Sequence, residues 1–247
     1  MMSKSLVLPF VKYLLEYLLP ACCLLCGQAC PQRLLCRGCE RDLPRIQDCC
    51  KQCALPGVFG AARLCADCLR HQPAWDLAIA ALVYEYPVDH LVRHFKFHKD
   101  MCCGQLLADE LARAVVLNFG RPEFTPGQKP DLLIPVPLHF LRRCRRGFNQ
   151  AEVLAKELQR ACGIPVRHKL LRRITHTPAQ SGLDRQARQK NLQDAFHCLP
   201  LQGVHVALVD DVLTTGATLQ ECARVLKRAG ASRVSVWVAA RVPAPSG

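Results

Sequence analysis

The densest chemistry in the chain lies in one short run, Asp210-Asp211-Val-Leu-Thr214-Thr215-Gly216-Ala217-Thr218. Before it stands an apolar stretch, 204–209, that reads as a buried strand, and after it a helical pattern, 219–229. Open parallel sheets bind ligands at the carboxyl ends of their strands, where helix amino-termini receive phosphate. Gly216 lets backbone approach a phosphate, while threonine hydroxyls and successive N–H groups donate to its oxygens. Two carboxylates repel phosphate at contact distance but accept hydrogen bonds from the neutral diol of a ribose. The combination therefore describes a sugar phosphate. A plain acidic turn before a capped helix would need neither both acids nor both threonines with the glycine.

A second constellation occupies the first seventy residues. Four Cys-x-x-Cys pairs occur there: Cys23/Cys26, Cys36/Cys39, Cys50/Cys53 and Cys65/Cys68. Two intervening residues let both sulfurs face one ion, and two pairs complete a tetrahedral four-cysteine site with Zn–S of about 2.3 Å. The near-duplication of the spacing predicts two structural zinc modules, with pairing across the modules left open. A segment this short and poor in aromatics would scarcely fold without metal. Cys22, Cys30 and Cys49 are surplus and read as plain thiols. Redox pairs come singly near a helix start, not four in series, so a redox role fits poorly.

The remaining signals are charge and hydrophobic pattern. Of the formal net charge of +13, most falls in 121–200, where fifteen Lys and Arg stand against six Asp and Glu. That concentration marks a polyanion site without choosing among sugar phosphate, nucleotide and nucleic acid. Arg142, Arg143, Arg145 and Arg146 supply its core. The amino-terminus carries apolar residues at helical spacing, broken by Pro9, Lys12 and Glu16, with no cleavage site. It predicts an amphipathic helix over 1–20 and neither a signal peptide nor a membrane span. A reducing, cytoplasmic setting follows, in which metal is favoured over disulfides.

The elements that must position these groups follow the α/β alternation of a parallel sheet. Strands are predicted at 77–84, 132–134, 204–209 and 234–240, with helices at 106–117, 149–162 and 219–229. Between them, His94 and His98 lack the further ligand a metal site would need. Lys96, flanked by Phe95 and Phe97, reads as a solvated lysine at a helix end.

The run 206–218 looks like the thirteen-residue phosphoribosyl-diphosphate (PRPP) motif of type I phosphoribosyltransferases. With the four cysteine pairs, the whole chain resembles the ComF family of competence and GntX-like proteins, a double zinc ribbon joined to a phosphoribosyltransferase domain. The resemblance implies an α/β, parallel-sheet fold in three parts: helix 1–20, double zinc ribbon 21–72, and phosphoribosyltransferase-like domain 73–247. It implies that Asp210 and Asp211 hold the ribose hydroxyls, that Thr214, Thr215, Gly216, Ala217 and Thr218 hold the 5-phosphate, and that Mg2+ bridges diphosphate and sugar. Ile134-Pro-Val-Pro137 and Arg146-Gly147-Phe148-Asn149-Gln150 match the family as well. Arg146, Gly147, Asn149 and Gln150, joined by Arg188 and Lys190 from a hood over 173–196, would then bind the diphosphate. Arg146 and Arg188 would assist Asp210 and Asp211 in any transfer to a nitrogen nucleophile. The alternative is a non-catalytic module that binds single-stranded DNA or nucleotide while the zinc head docks partners, including proteins of DNA uptake. Single-strand binders interleave aromatics with basic residues, and only Phe140, Phe148 and Phe196 are available between 130 and 200.

Overall fold

The computed structural model describes residues 22–120, 129–138, 146–174 and 195–244. The expected amino-terminal helix, Arg142, Arg143, Arg145, Arg188, Lys190 and most of the hood stretch lie outside the described residues. The chain divides into two compact units, Met1–Leu43 and Pro44–Gly247. Each holds one cysteine cluster.

In the smaller unit the chain folds back between Cys22 and Ala29, and a single-turn helix α1 (Arg37–Arg41) follows. The Sγ of Cys36 caps α1 by accepting from the Cys39 N–H at 3.5 Å.

The larger unit begins with the second cysteine module and its short helix α2 (Ala66–Arg70). The chain then enters β1 (Leu77–Val83), α3 (Val88–Arg93), a π-turn (His94–His98) and α4 (Met101–Phe119). Next come β2 (Leu132–Pro135), α5 (Gln150–Cys162) and a small antiparallel pair, β3 (Leu171–Arg173) with β4 (Phe196–Cys198). The unit closes with β5 (His205–Leu213), α6 (Ala217–Arg228) and β6 (Arg233–Arg241).

Among the described residues, β1, β6, β5 and β2 form a parallel sheet in that order. Their apolar runs, such as Leu77-Ala-Ile-Ala-Ala-Leu-Val83, are buried almost throughout, because helices cover both faces of such a sheet. Val206, Leu208, Val234, Val236 and Val238 pack with Leu219, Cys222, Ala223 and Leu226 of α6. On the other face the Trp237 ring meets Phe119 of α4, with centroids 5.8 Å apart. No helix among the described residues is long and apolar enough to cross a membrane.

Strand β5 runs four residues beyond the predicted end at 209. Asp210 is paired with Val238 and Val212 with Ala240, so the two acids belong to the sheet rather than to a loop. Pairing with the long β6 carries the ladder past the point where the apolar run stops.

Candidate functional site

Alternation along β5 gives the two carboxylates different surroundings. Val206 and Leu208 face α6, so Asp210 takes that side and Asp211 the opposite one. Asp211 is buried and bonded through Oδ1 to the Lys96 ammonium at 2.8 Å. Asp210 accepts from the Asp211 N–H at 2.9 Å. Burial and the neighbouring charge of Asp211 push the Asp210 carboxyl up to about 7, against the pull of Lys96 and Arg146. Lys96 is thus not the solvated lysine its sequence context suggested. The π-turn carries it inward, where its side chain is only 20 % exposed.

The strand gives way to Thr214 and Thr215, both exposed, and then to Gly216 at φ +76. Gly216 is the N-cap of α6, whose axis begins at Ala217, so this loop presents a helix amino-terminus next to the acids. A side chain at 216 is excluded twice. The left-handed backbone disfavours one, and its Cβ would stand 2.9 Å from Cη2 of Trp75.

Trp75 belongs to a brace between the second cysteine module and the loop. Its Nε1 donates to the Gln52 carbonyl at 2.6 Å, and Gln52 Nε2 returns a bond to the Trp75 carbonyl at 2.7 Å. Gln220 of α6 accepts from the Ala74 N–H at 2.9 Å. Arg241, at the end of β6, donates to the carbonyls of Cys53, Leu213, Thr214 and Val242 at 2.7–3.0 Å. Module and loop also share a cavity of about 570 Å³, lined among others by Cys68, His71, Thr214, Thr215, Gly216 and Arg224.

The 146–150 segment closes another side. Arg146 is placed where its charge acts on Asp210, and its guanidinium lies 5.6 Å from the Phe97 ring centroid. It donates to Gln150 Oε1 at 3.1 Å, while Gln150 Nε2 is buried with no hydrogen-bond partner among the described residues. Gly147 has φ +82, and a Cβ there would stand 3.2 Å from Lys99 Nζ. The Asn149 side chain is committed locally. Its Oδ1 accepts from the Ala151 N–H as the α5 cap, and its Nδ2 donates to the Val136 carbonyl, both at 3.1 Å. These bonds hold the segment against β2.

Both cysteine sets assemble as their spacing predicted. Cys23, Cys26, Cys36 and Cys39 form one cluster and Cys50, Cys53, Cys65 and Cys68 the other, with the sulfurs of each within 4.8 Å of one another. Cys26 and Cys36 Sγ are 3.8 Å apart, and Cys53 and Cys65 Sγ 3.7 Å. A tetrahedron with metal–sulfur bonds of about 2.3 Å has edges of about 3.8 Å, so the spacing suits a shared ion and is too wide for a disulfide. Burial opposes thiolate formation at Cys23, Cys39, Cys50, Cys53 and Cys68, yet neighbouring backbone N–H groups hold Cys23 down to about 6 and also lower Cys50. Two four-cysteine sites can therefore hold metal. Cys22, Cys30 and Cys49 fall outside both clusters.

Sequence reasoning passed over Trp75, Gln52, Lys99 and Arg241. Signals existed in part: Gly147 and Gly216 mark where something presses on the backbone, but nothing in the sequence names the residue that presses.

Comparison with known proteins agrees with this geometry. Residues 126–246 match the phosphoribosyl transferase domain family. Competence protein F of Haemophilus influenzae is 34 % identical over 212 residues, covering 84 % of this chain and 90 % of that protein. The DNA utilization protein YhgH of Salmonella typhimurium is 35 % identical over 208 residues, with the same coverage. Competence protein ComFC of Bacillus subtilis is 28 % identical over 213 residues, 81 % of this chain and 80 % of its own. Identity of that extent, on a parallel-sheet phosphoribosyl transferase fold carrying two four-cysteine clusters, makes this chain a member of the competence protein F (ComF) family.

Proposed function

We propose that the larger unit binds PRPP, or a ligand sharing its ribose 5-phosphate, in a role tied to DNA handling. The observation that carries this reading is the junction at the end of β5. There one sheet strand delivers Asp210 and Asp211, a left-handed Gly216 follows, and α6 opens directly behind it. The carboxylates accept from the ribose 2- and 3-hydroxyls, one from each side of the strand end. Backbone N–H groups of 214–218 and the hydroxyls of Thr214, Thr215 and Thr218 receive the 5-phosphate. Arg146 and the backbone around Gly147 form the diphosphate side, with Arg188 and Lys190 as further ligands from the hood. Mg2+, when bound with the ligand, neutralises diphosphate charge between these groups. Zinc is the metal that suits eight cysteine sulfurs in two tetrahedral sets.

A site of this design supports transfer of ribose 5-phosphate to a nitrogen nucleophile, with diphosphate as leaving group. The protein's contribution is positioning and stabilisation of the charge on the departing diphosphate. The names of the relatives, competence and DNA utilization, favour a second reading. In it the fold serves as a PRPP- or nucleotide-responsive module, and the basic 121–200 stretch holds single-stranded DNA in the cytoplasm.

Calorimetric titration of metal-loaded protein with PRPP, with and without Mg2+, tests the first reading. Saturable, Mg2+-dependent binding that disappears in Asp210→Asn/Asp211→Asn is the expected result. Absence of binding by the unaltered protein, together with tight single-stranded DNA binding, would transfer the case to the second.

A further inference from the structure

The π-turn between α3 and α4 touches both halves of the proposed ligand site. Phe95 is fully buried, its ring lying so close over Gly104 that a Cβ there would be 2.4 Å from Cε2, and its centroid is 5.3 Å from that of Phe148. Phe97 lies under the Arg146 guanidinium. Lys99 ends the turn in the left-handed region and rests against Gly147. Asp100 then caps α4 by accepting from Cys102 and Cys103, which fixes where the turn stops. Between these contacts with the 146–148 segment, Lys96 reaches across to Asp211 at 2.8 Å. Wide turns of this type inside helices are frequent at functional sites because they re-aim side chains.

The placement answers an electrostatic difficulty. A sugar diphosphate brings several negative charges to a pocket whose floor is two carboxylates, and burial strengthens that repulsion. Lys96 pairs with Asp211 from a turn whose Phe95, Phe97 and Lys99 meet the segment proposed to receive the diphosphate. Its flexible stem and three donors let one ammonium serve partners on either side.

We propose that Lys96 is a diphosphate-binding residue whose ammonium exchanges partners when ligand enters. In the empty pocket it neutralises Asp211. As the ribose hydroxyls take over as donors to Asp211, the ammonium turns to the diphosphate, so charge is balanced in both states. The inference rests on reading the pocket as a PRPP site, and its test separates the two claims.

The test compares wild type, Lys96→Met and Lys96→Arg by calorimetry with two ligands, Mg-PRPP and ribose 5-phosphate, which lacks the diphosphate. Lys96→Met should weaken PRPP binding at least ~10-fold, the scale of one charge-assisted hydrogen bond. Measured at alkaline pH, where Asp210 is ionised with or without the pull of Lys96, ribose 5-phosphate should bind Lys96→Met as well as wild type or more tightly, because the competitor for Asp211 is gone. Lys96→Arg should keep most PRPP affinity, and Lys96→Gln carries the Met expectation should the Met variant lose its fold. Equal loss of both ligands in the charge-removing variants would show a merely structural lysine and overturn the proposal, as would undiminished PRPP binding. Wild type that binds neither ligand overturns the pocket reading itself, and the Lys96 proposal with it.

Discussion

Replacing Gly216 with alanine tests how tightly the phosphate loop is braced. The residue sits at φ +76, where a Cβ costs about 1–2 kcal/mol. The new methyl would also stand 2.9 Å from Trp75 Cη2, closer than real contacts allow, and 3.2 Å from Leu213 Cδ1, a tight contact that Leu213 must yield to. Trp75 cannot easily withdraw, being 5 % exposed and tied through Nε1 to the Gln52 carbonyl. Overpacking of this kind costs about 1–3 kcal/mol, for a total of about 2–5 kcal/mol. At about 2–4 °C per kcal/mol for a domain of this size, the melting temperature should fall by roughly 4–20 °C. PRPP affinity should fall with it, because the loop that offers N–H groups to the 5-phosphate has to move. Calorimetric melting and titration measure both effects. A double variant with Trp75→Phe separates the causes, since the smaller ring relieves the clash but not the backbone strain. A Gly216→Ala protein that melts and binds like wild type would refute the argument that Trp75 sets the loop.

Further outcomes follow from the same structure. Asp210, pushed up to about 7, is protonated more readily in the fold than in the unfolded chain, where a carboxyl titrates at about 3.9. Its contribution to stability is therefore present at low pH and lost as pH rises from about 4 to 7, so Asp210→Asn should raise the melting temperature at pH 8. Ribose 5-phosphate affinity should move the opposite way, strengthening between pH 6 and 8 in wild type as the carboxylate ionises. His205 is held down to about 4 by burial and by Arg233, with Nε2 bonded to Ser235 at 2.8 Å. Its contribution is complete above ~6.5 and is lost as pH falls toward 4, so the gap in urea midpoint between wild type and His205→Gln should shrink over that interval. Stripping metal from the second cluster, by chelation or Cys53→Ser, should weaken PRPP binding. The Cys53 carbonyl and Gln52 anchor Arg241 and Trp75 against the loop. Arg241→Met in metal-loaded protein should reproduce part of that loss, read by titration beside a zinc assay.

The sequence alone determined what is local. Cys-x-x-Cys spacing brings two sulfurs to one side of a turn wherever the chain goes, and both four-cysteine sets form as expected. The order strand, two acids, threonines, glycine, helix likewise assembles from neighbours in the chain, because a strand end and a helix start define the cradle by themselves. Asn149, expected at the diphosphate through its place beside Arg146, also caps α5 and bonds the Val136 carbonyl, a structural role that the motif does not announce. Tertiary structure decided which distant residues press on the site. Lys96 meets Asp211 through a π-turn that helical periodicity cannot distinguish from an ordinary helix end. Arg241 and Cys53, 188 residues apart, and Trp75 with Gly216 join the second cysteine module to the phosphate loop. Spacing along the chain encodes turns and short-range ligand sets because covalent geometry enforces them. Contacts between remote side chains depend on how the sheet orders its strands and which face each residue takes, and those are settled only when the core packs.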